Sequence, residues 1–213
     1  MPVLAPLYYN PPVSYFAALV NQKELLLEAE ENYQKQTYRN RCHILTDQGV
    51  KPLIIPVQHT VAKIPVQEVK IDNSQRWAGI HWRTIRSAYG SAPYFIYYAD
   101  HIESIYLRKP EHLFSLNLEL LKVYIKLLQL DISVTFTSEF RTNYPTTIVD
   151  RRNLVHPKRK ADNLIAEPYV QVFGRRFVPD LSILDLLFNL GPEAHEYLVT
   201  IAPGLEQMGP EAC

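Results

Sequence analysis

The sequence predicts an α/β fold: a single domain with a mixed sheet, covered by helices and more helical in its second half. Three observations carry that expectation. A strand, a short helix and a second apolar run open the chain, the order of a parallel β-α-β unit. Two apolar runs then flank Asp47-Gln48-Gly49, a hairpin signal. Further on, apolar residues recur at helical spacing in long segments. No Gly/Ser-rich linker divides the chain, so residues 1–203 are expected to form one domain and 204–213 a frayed tail.

Residues 3–9 read as the first strand, ended by "NPP" because proline cannot donate to a ladder. "VSYFAALVN" reads as a short helix capped by Ser14, with Phe16, Leu19 and Val20 on one side. "ELLLEAEE" suits helix or strand. "CHILTDQGVKPLIIPV" is a hairpin with three to four loop residues, and "VQEVKID" adds a strand with Val69 and Ile71 on one face. Ser74 is expected to cap a helix through "QRWAGIHWRTIRSAY", which Gly90 ends. Trp77, His81, Ile85 and Ala88 form its apolar stripe. "APYFIYYADHIESIYL" and "PEHLFSLNLELLKVYIKLLQL" are helices, the second opened by Pro110 and largely buried. "DISVTFT" alternates as a half-buried strand. Residues 139–166 are a polar loop, "YVQVF" a short strand, and "PDLSILDLLFNLG" a helix capped by Asp180 and stopped by Gly191.

Composition removes several function classes. The chain has 213 residues, with 22 basic and 22 acidic, so it lacks the net positive charge of a nucleic-acid or membrane-surface binder. Its two cysteines, Cys42 and Cys213, cannot build a disulfide framework or a cysteine zinc site. No apolar run approaches a membrane span. "MPVLAPLYYNPP" has no basic start before an apolar run, so no export signal is expected and the location is cytoplasmic. The seven histidines show no H-x-x-x-H or H-E-x-x-H pattern, and no metal is expected. There is no glycine-rich phosphate loop and no G-x-S-x-G elbow. No cofactor follows from the sequence.

The stretch "NYQKQTYRNRC", residues 32–42, concentrates donors. As a strand it aims Tyr33, Lys35, Thr37, Arg39 and Arg41 at one face; as a helix it still pairs Lys35 with Arg39. Like charges so placed need an anion. Either Glu28, Glu30 or Glu31 supplies it, or a ligand phosphate or carboxylate does. Gln34, Gln36 and Asn40 add neutral donors and acceptors suited to sugars, and Tyr38 adds a ring. His81 is either a satisfied core histidine or a general base, since imidazole titrates near neutral pH. Trp82 is a core residue or a stacking surface. Cys42 opens an apolar strand as a buried thiol. The basic run Arg151, Arg152, His156, Lys158, Arg159, Lys160 is a solvated loop or a lid over an anion. It carries no aromatic residue, which argues against stacked nucleic acid.

Taken in order, "PPVSYFAAL", "ENYQKQTYRNRC", "LIIPV", "HWRTIRSAYGSAPYFIYYAD", "NLELL", "LVHPK" and "LSILDLLFNLGPE" resemble the WbqC-like protein family over about residues 3–198. Where many relatives begin with a "YLPWLGYF"-like run, this chain has "YYNPPVSYF". The resemblance implies a bacterial protein associated with O-antigen and other surface-polysaccharide genes, and a glycine or aminoacyl transferase acting on a sugar. It maps the recurring polar positions onto Asn10, Pro11, Tyr15, Lys35, Arg39, Asn40, Arg41, His81 and Trp82. The expected enzyme acts on a nucleotide-linked or lipid-linked sugar. His81 is its base and Lys35 a second catalytic group. Lys35, Arg39 and Arg41 hold phosphate or carboxylate, and Asn10, Tyr15, Gln36, Tyr38, Asn40 and Trp82 contact the substrate. The expected partner is a small anionic ligand: a nucleotide sugar, phosphate or amino-acid carboxylate. The alternative is a non-catalytic phosphate- or glycan-binding protein, or a structural protein with a buried ion-pair network.

Overall fold

The computed structural model describes residues 1–58, 63–158 and 167–206. Four strands form one sheet in the order β5-β2-β1-β6, with every neighbouring pair parallel. They are β1 (Val3–Pro6), β2 (Glu24–Glu28), β5 (Ser133–Phe136) and β6 (Val149–Asp150). The helix α1 (Val13–Ala17) joins β1 to β2, giving the expected parallel unit. β1 lies inside the sheet, and Val3, Leu4 and Ala5 are buried on both faces, so it reads as a continuous apolar run rather than an alternating one. β5 is an edge, and Phe136 is exposed there. The hairpin β3 (Arg41–Thr46) and β4 (Gly49–Ile54) is antiparallel and forms a separate two-stranded sheet. Both pairing senses of the expected mixed sheet are present, divided between two sheets.

Helices α2 (Trp77–Tyr89), α3 (Phe95–Leu107), α4 (Leu113–Leu127), α5 (Ile183–Leu190) and α6 (Ala194–Glu206) complete the fold. α3 packs on α2, α4 and α5, while α1 packs on α5 and α6. The predicted stripe of α2 is its buried side: Trp77, His81, Ile85 and Ala88 all face the core. α6 was not expected; Pro203 and Gly204 within it obscure its helical pattern. The expected tail from 204 onward overlaps α6 through Glu206, and the rest lies outside the described residues.

Several local expectations are corrected. The hairpin turn has two residues, Asp47 and Gln48, because Thr46 pairs with Gly49. Thr46 Oγ1 donates to the Gly49 carbonyl at 2.8 Å, and Gly49 takes φ 94°, which tightens the turn. Residues 66–71 form no strand. Val66–Glu68 is a 3₁₀ turn, and Lys70 and Ile71 make single bridges to His112 and Val57. "YVQVF" is irregular, anchored instead by Gln171, which exchanges bonds with Val178. The caps also differ. Ser182 Oγ, not Asp180, accepts from Leu184 N–H at the start of α5. Asp180 reaches across to accept the Ser14 N–H at 2.9 Å, so it serves α1, whose N-cap is Pro12. α2 begins at Trp77 without a side-chain cap, and Ser74 donates to Asp72. α4 begins at Leu113, past Pro110. Each misplaced cap depends on a neighbour distant in sequence or on a local turn. Finally, Val149–Asp150 gains strand character inside the expected loop by pairing with Val3 and Leu4.

Among the described residues, no helix is long and apolar enough to cross a membrane.

Candidate functional site

A cleft of about 230 Å³ opens at the carboxyl end of the parallel sheet. Every residue lining it follows the carboxyl end of a sheet strand. Tyr8 follows β1; Glu31, Gln34, Thr37 and Arg39 follow β2; Phe140 and Thr142 follow β5; Arg152, Asn153, Val155 and His156 follow β6. The chain leaves β1 to build β2 on one side, and β6 arrives much later on the other. Connections diverge at such a point, which leaves a crevice beyond the strand ends.

One wall is an ion pair. Arg39 Nε donates to Glu31 Oε1 at 2.7 Å, and Nη2 donates to Oε2 in the fork geometry of a bidentate pair. Nη1 donates to Thr37 Oγ1 at 3.2 Å. The Tyr8 ring lies 5.9 Å from the guanidinium carbon. The two charged side chains are only 5% and 6% exposed, so the pair belongs to the wall rather than the surface. The local sequence folds back to make it. Thr37 Oγ1 donates to the Gln34 carbonyl at 2.8 Å, and Gln36 takes φ 61°, closing a turn that brings Arg39 to Glu31.

The opposite wall is pinned by Arg152. Its Nε lies 3.1 Å from each oxygen of Asp150, and Nη2 donates to Asp150 Oδ2 at 2.6 Å and to the Thr142 carbonyl at 2.9 Å. Nη1 donates to Glu28 Oε2 at 3.2 Å and to the Arg141 carbonyl at 2.7 Å. All five guanidinium hydrogens are thereby used. The Phe140 and Tyr144 rings flank the group at 5.4 and 5.0 Å. Arg152 therefore ties the strap 139–152 across the ends of β2 and β6. Glu28, completely buried, is held in turn by Thr137 Oγ1 at 2.8 Å. His156 Nδ1 accepts the Lys158 N–H at 3.2 Å, so the neutral ring carries its hydrogen on Nε2.

A second polar group lies in the core. Tyr124 Oη donates to Asn10 Oδ1 at 2.6 Å, and Asn10 Nδ2 donates to Tyr106 Oη at 2.9 Å and Cys42 Sγ at 3.6 Å. The Tyr106 and Tyr9 hydroxyls are 2.5 Å apart, and Tyr9 Oη lies 2.9 Å from His81 Nδ1. Burial pushes His81 down to about 4, against a backbone hydrogen bond at Ile54. A neutral His81 accepts from Tyr9, so the hydroxyls run head to tail and every member is satisfied. None of these residues lines the cleft.

The model of the WbqC-like protein family matches residues 7–165 and 159–197. The chain belongs to the WbqC-like protein family. It is 28% identical over 224 aligned residues to the uncharacterized protein Rv1507c of Mycobacterium tuberculosis, covering 89% of this chain and 94% of that one. No solved structure matches.

Of the residues given a catalytic or substrate-binding role from the sequence of this family member, Arg39 alone stands in the cleft wall. Tyr38 and Tyr15 are buried behind it, their rings 5.9 and 5.5 Å from Tyr8, and Tyr15 Oη donates to the Pro6 carbonyl at 3.0 Å. Asn40 is buried and donates to the Ile55 carbonyl at 3.0 Å. Arg41 opens β3, half-buried. Lys35 and Gln36 are exposed and do not line the cleft. Trp82 is buried and stacks on Phe95 at 6.1 Å. His81 and Asn10 belong to the core chain: the α2 stripe that carries His81 is the side that packs inward. Sequence reasoning gave Glu31 as one possible counter-ion, and it placed Arg152 and His156 in a basic loop. Tyr8, Phe140, Thr142, Asn153 and Val155 went unnoticed; their shared signal is position just beyond a strand end. Arg159 and Lys160 lie outside the described residues. Among the described residues, no group of three or more His, Cys, Asp or Glu side chains is placed to hold a metal ion.

Proposed function

We propose that the chain is a transferase that moves a glycyl, aminoacyl or similar group onto a nucleotide-linked or lipid-linked sugar in bacterial surface-polysaccharide synthesis. The sugar seats in the cleft at the strand ends. The observation that carries this reading is the cleft's composition: two guanidinium groups, a carboxylate, two amides, an imidazole and two rings converge where parallel sheets bind ligands. Tyr8 and Phe140 offer ring faces to a sugar. The His156 imidazole lines the cleft and suits proton transfer to or from the reacting groups. Glu31 is the cleft carboxylate placed to accept a hydrogen from the attacking hydroxyl or amine. His81 has no part in this assignment, because its ring is enclosed by Tyr9, Trp77 and the backbone at Ile54. A cytoplasmic location belongs to the same proposal.

A second reading, binding without turnover, is favoured by one feature: both cleft arginines are tied to the protein's own acids. One experiment separates the two. The protein is incubated with glycyl-adenylate and a panel of nucleotide sugars, followed by mass spectrometry and thermal shift. Glycylated sugar, reduced at least about a hundredfold in His156→Ala, supports the transferase. A raised Tm with sugars but no product supports binding alone. Neither product nor shift refutes both.

A further inference from the structure

The charges around the cleft specify which part of a ligand it reads. We propose that the cleft takes a neutral polyhydroxyl ring, not a phosphate or carboxylate, and that the Glu31–Arg39 pair reads its hydroxyls. This rests on the proposed function and narrows it.

The sequence alone made an anionic guest attractive, since cations gather near position 38. The structure neutralises the one among them that lines the cleft. Arg39 is matched by Glu31. Arg152 is matched by Asp150 and Glu28 and has no hydrogen left to donate. Lys35 and Arg41 do not line the cleft. Among the described lining residues, no guanidinium or ammonium is therefore left without a carboxylate partner. An incoming phosphate would have to displace a buried carboxylate, stranding a charge away from water.

Hydroxyls face no such conflict. Arg39 Nη1 and Nη2 each make one bond, leaving a hydrogen on each with no partner among the described residues. Each Glu31 oxygen accepts one bond from Arg39 and keeps a lone pair. A sugar hydroxyl both donates and accepts, so neighbouring hydroxyls can bridge a carboxylate and a guanidinium held side by side. Gln34 and Asn153 add amides on opposite walls, and Tyr8 and Phe140 add ring faces. Size points the same way. The cleft holds about 230 Å³, below the roughly 300–1,000 Å³ of sites that enclose drug-sized ligands. One sugar ring suits that volume, and a nucleotide carrier stays outside.

Calorimetry on the full chain tests this. The probes are methyl glycosides of hexoses, 6-deoxyhexoses and N-acetylhexosamines, with inorganic phosphate and intact nucleotide sugars alongside. A glycoside is expected to bind with affinity changing less than about twofold between about 0.05 and 0.5 M NaCl, because no net charge is neutralised. Phosphate is expected not to bind. Glu31→Gln leaves Arg39 uncompensated; it should weaken the glycoside at least about tenfold and create salt-sensitive phosphate binding. If that variant does not fold, the wild-type salt series still decides. Phosphate binding to the wild type that is lost in Arg39→Met overturns the inference and leaves the proposed function standing. Nucleotide sugars that bind while every glycoside fails do the same. No binding by any probe overturns both.

Discussion

Acidifying the protein should expose what His81 contributes to stability. Burial holds its imidazole near 4, against an ordinary value of 6.5. Between those values the unfolded chain takes up a proton that the native state refuses. Stability resting on neutral His81 is therefore intact above about pH 6.5 and lost as pH falls toward 4, at about 1.4 kcal/mol per pH step. The full effect is about 3 kcal/mol, a large share of a typical domain's stability. Asp180 works in the opposite sense. Burial pushes its carboxyl up to about 6, so the native state binds that proton first and gains stability as pH falls from 6 toward 3.8. The wild-type profile alone would hide the histidine. Urea unfolding of wild type and His81→Gln at pH 7.5 and 4.5 isolates it. The wild-type advantage should shrink by about 2.5 kcal/mol between the two conditions. An advantage independent of pH, or a native His81 signal titrating near 6.5 by NMR, would refute the neutral, accepting imidazole and with it the head-to-tail chain through Tyr9, Tyr106 and Asn10.

Three other expectations follow from single contacts. Arg152→Lys keeps the charge but cannot reach two acids and two carbonyls at once, so the strap 139–150 should be cut by trypsin at Arg141 at least about tenfold faster, with the far-ultraviolet spectrum unchanged; an unchanged cleavage rate would remove the pin. Gly191→Ala would set a Cβ 2.4 Å from the Tyr94 ring at a φ of 56°, and denaturant unfolding should show a loss of about 1–3 kcal/mol. Burial pushes the Cys42 thiol up to about 12, so its peptide should stay unmodified by iodoacetamide in native protein at pH 8 and react once urea is added.

The sequence revealed elements whose pattern is local. β1, α1 and the hairpin announce themselves through apolar runs broken by proline or glycine, and α2 to α5 through periodicity. It did not reveal β6, because Val149-Asp150 is two residues long and becomes a strand only by lying beside Val3 and Leu4. It overread residues 66–71, where Val69 and Ile71 are both buried, as a strand would have them, yet Ile71 and Lys70 pair with different partners. The site divides the same way. Clustered cations at 35–41 asked for an anion, and at Arg39 that need was legible. Which anion answers was not, since Glu31 fits only after the turn at Gln36 closes. Tyr8, Phe140 and Asn153 are ordinary residues in the sequence; only the convergence of four strand ends brings them together.

That convergence also explains why the arginines are spent on the protein itself. A cleft formed by four separate loops has no covalent reason to keep its shape. Arg152 supplies a non-covalent one, joining β2, β6 and the strap through hydrogen bonds to acids and carbonyls. Arg39 does the same within the β2 loop, and the rings of Tyr8, Tyr15 and Tyr38 back it. The loss of side-chain freedom is thus met during folding rather than on binding, and the proposed neutral ligand would be recognised without ordering the loops around it. If the pairs existed only for stability, replacing both partners of the Glu31–Arg39 pair with apolar residues of similar size, Glu31→Leu with Arg39→Met, would leave the fold as stable or more so. Ligand binding is the property such a variant should lose, and a double variant that folds yet still binds sugar would show that the pair does not read the ligand.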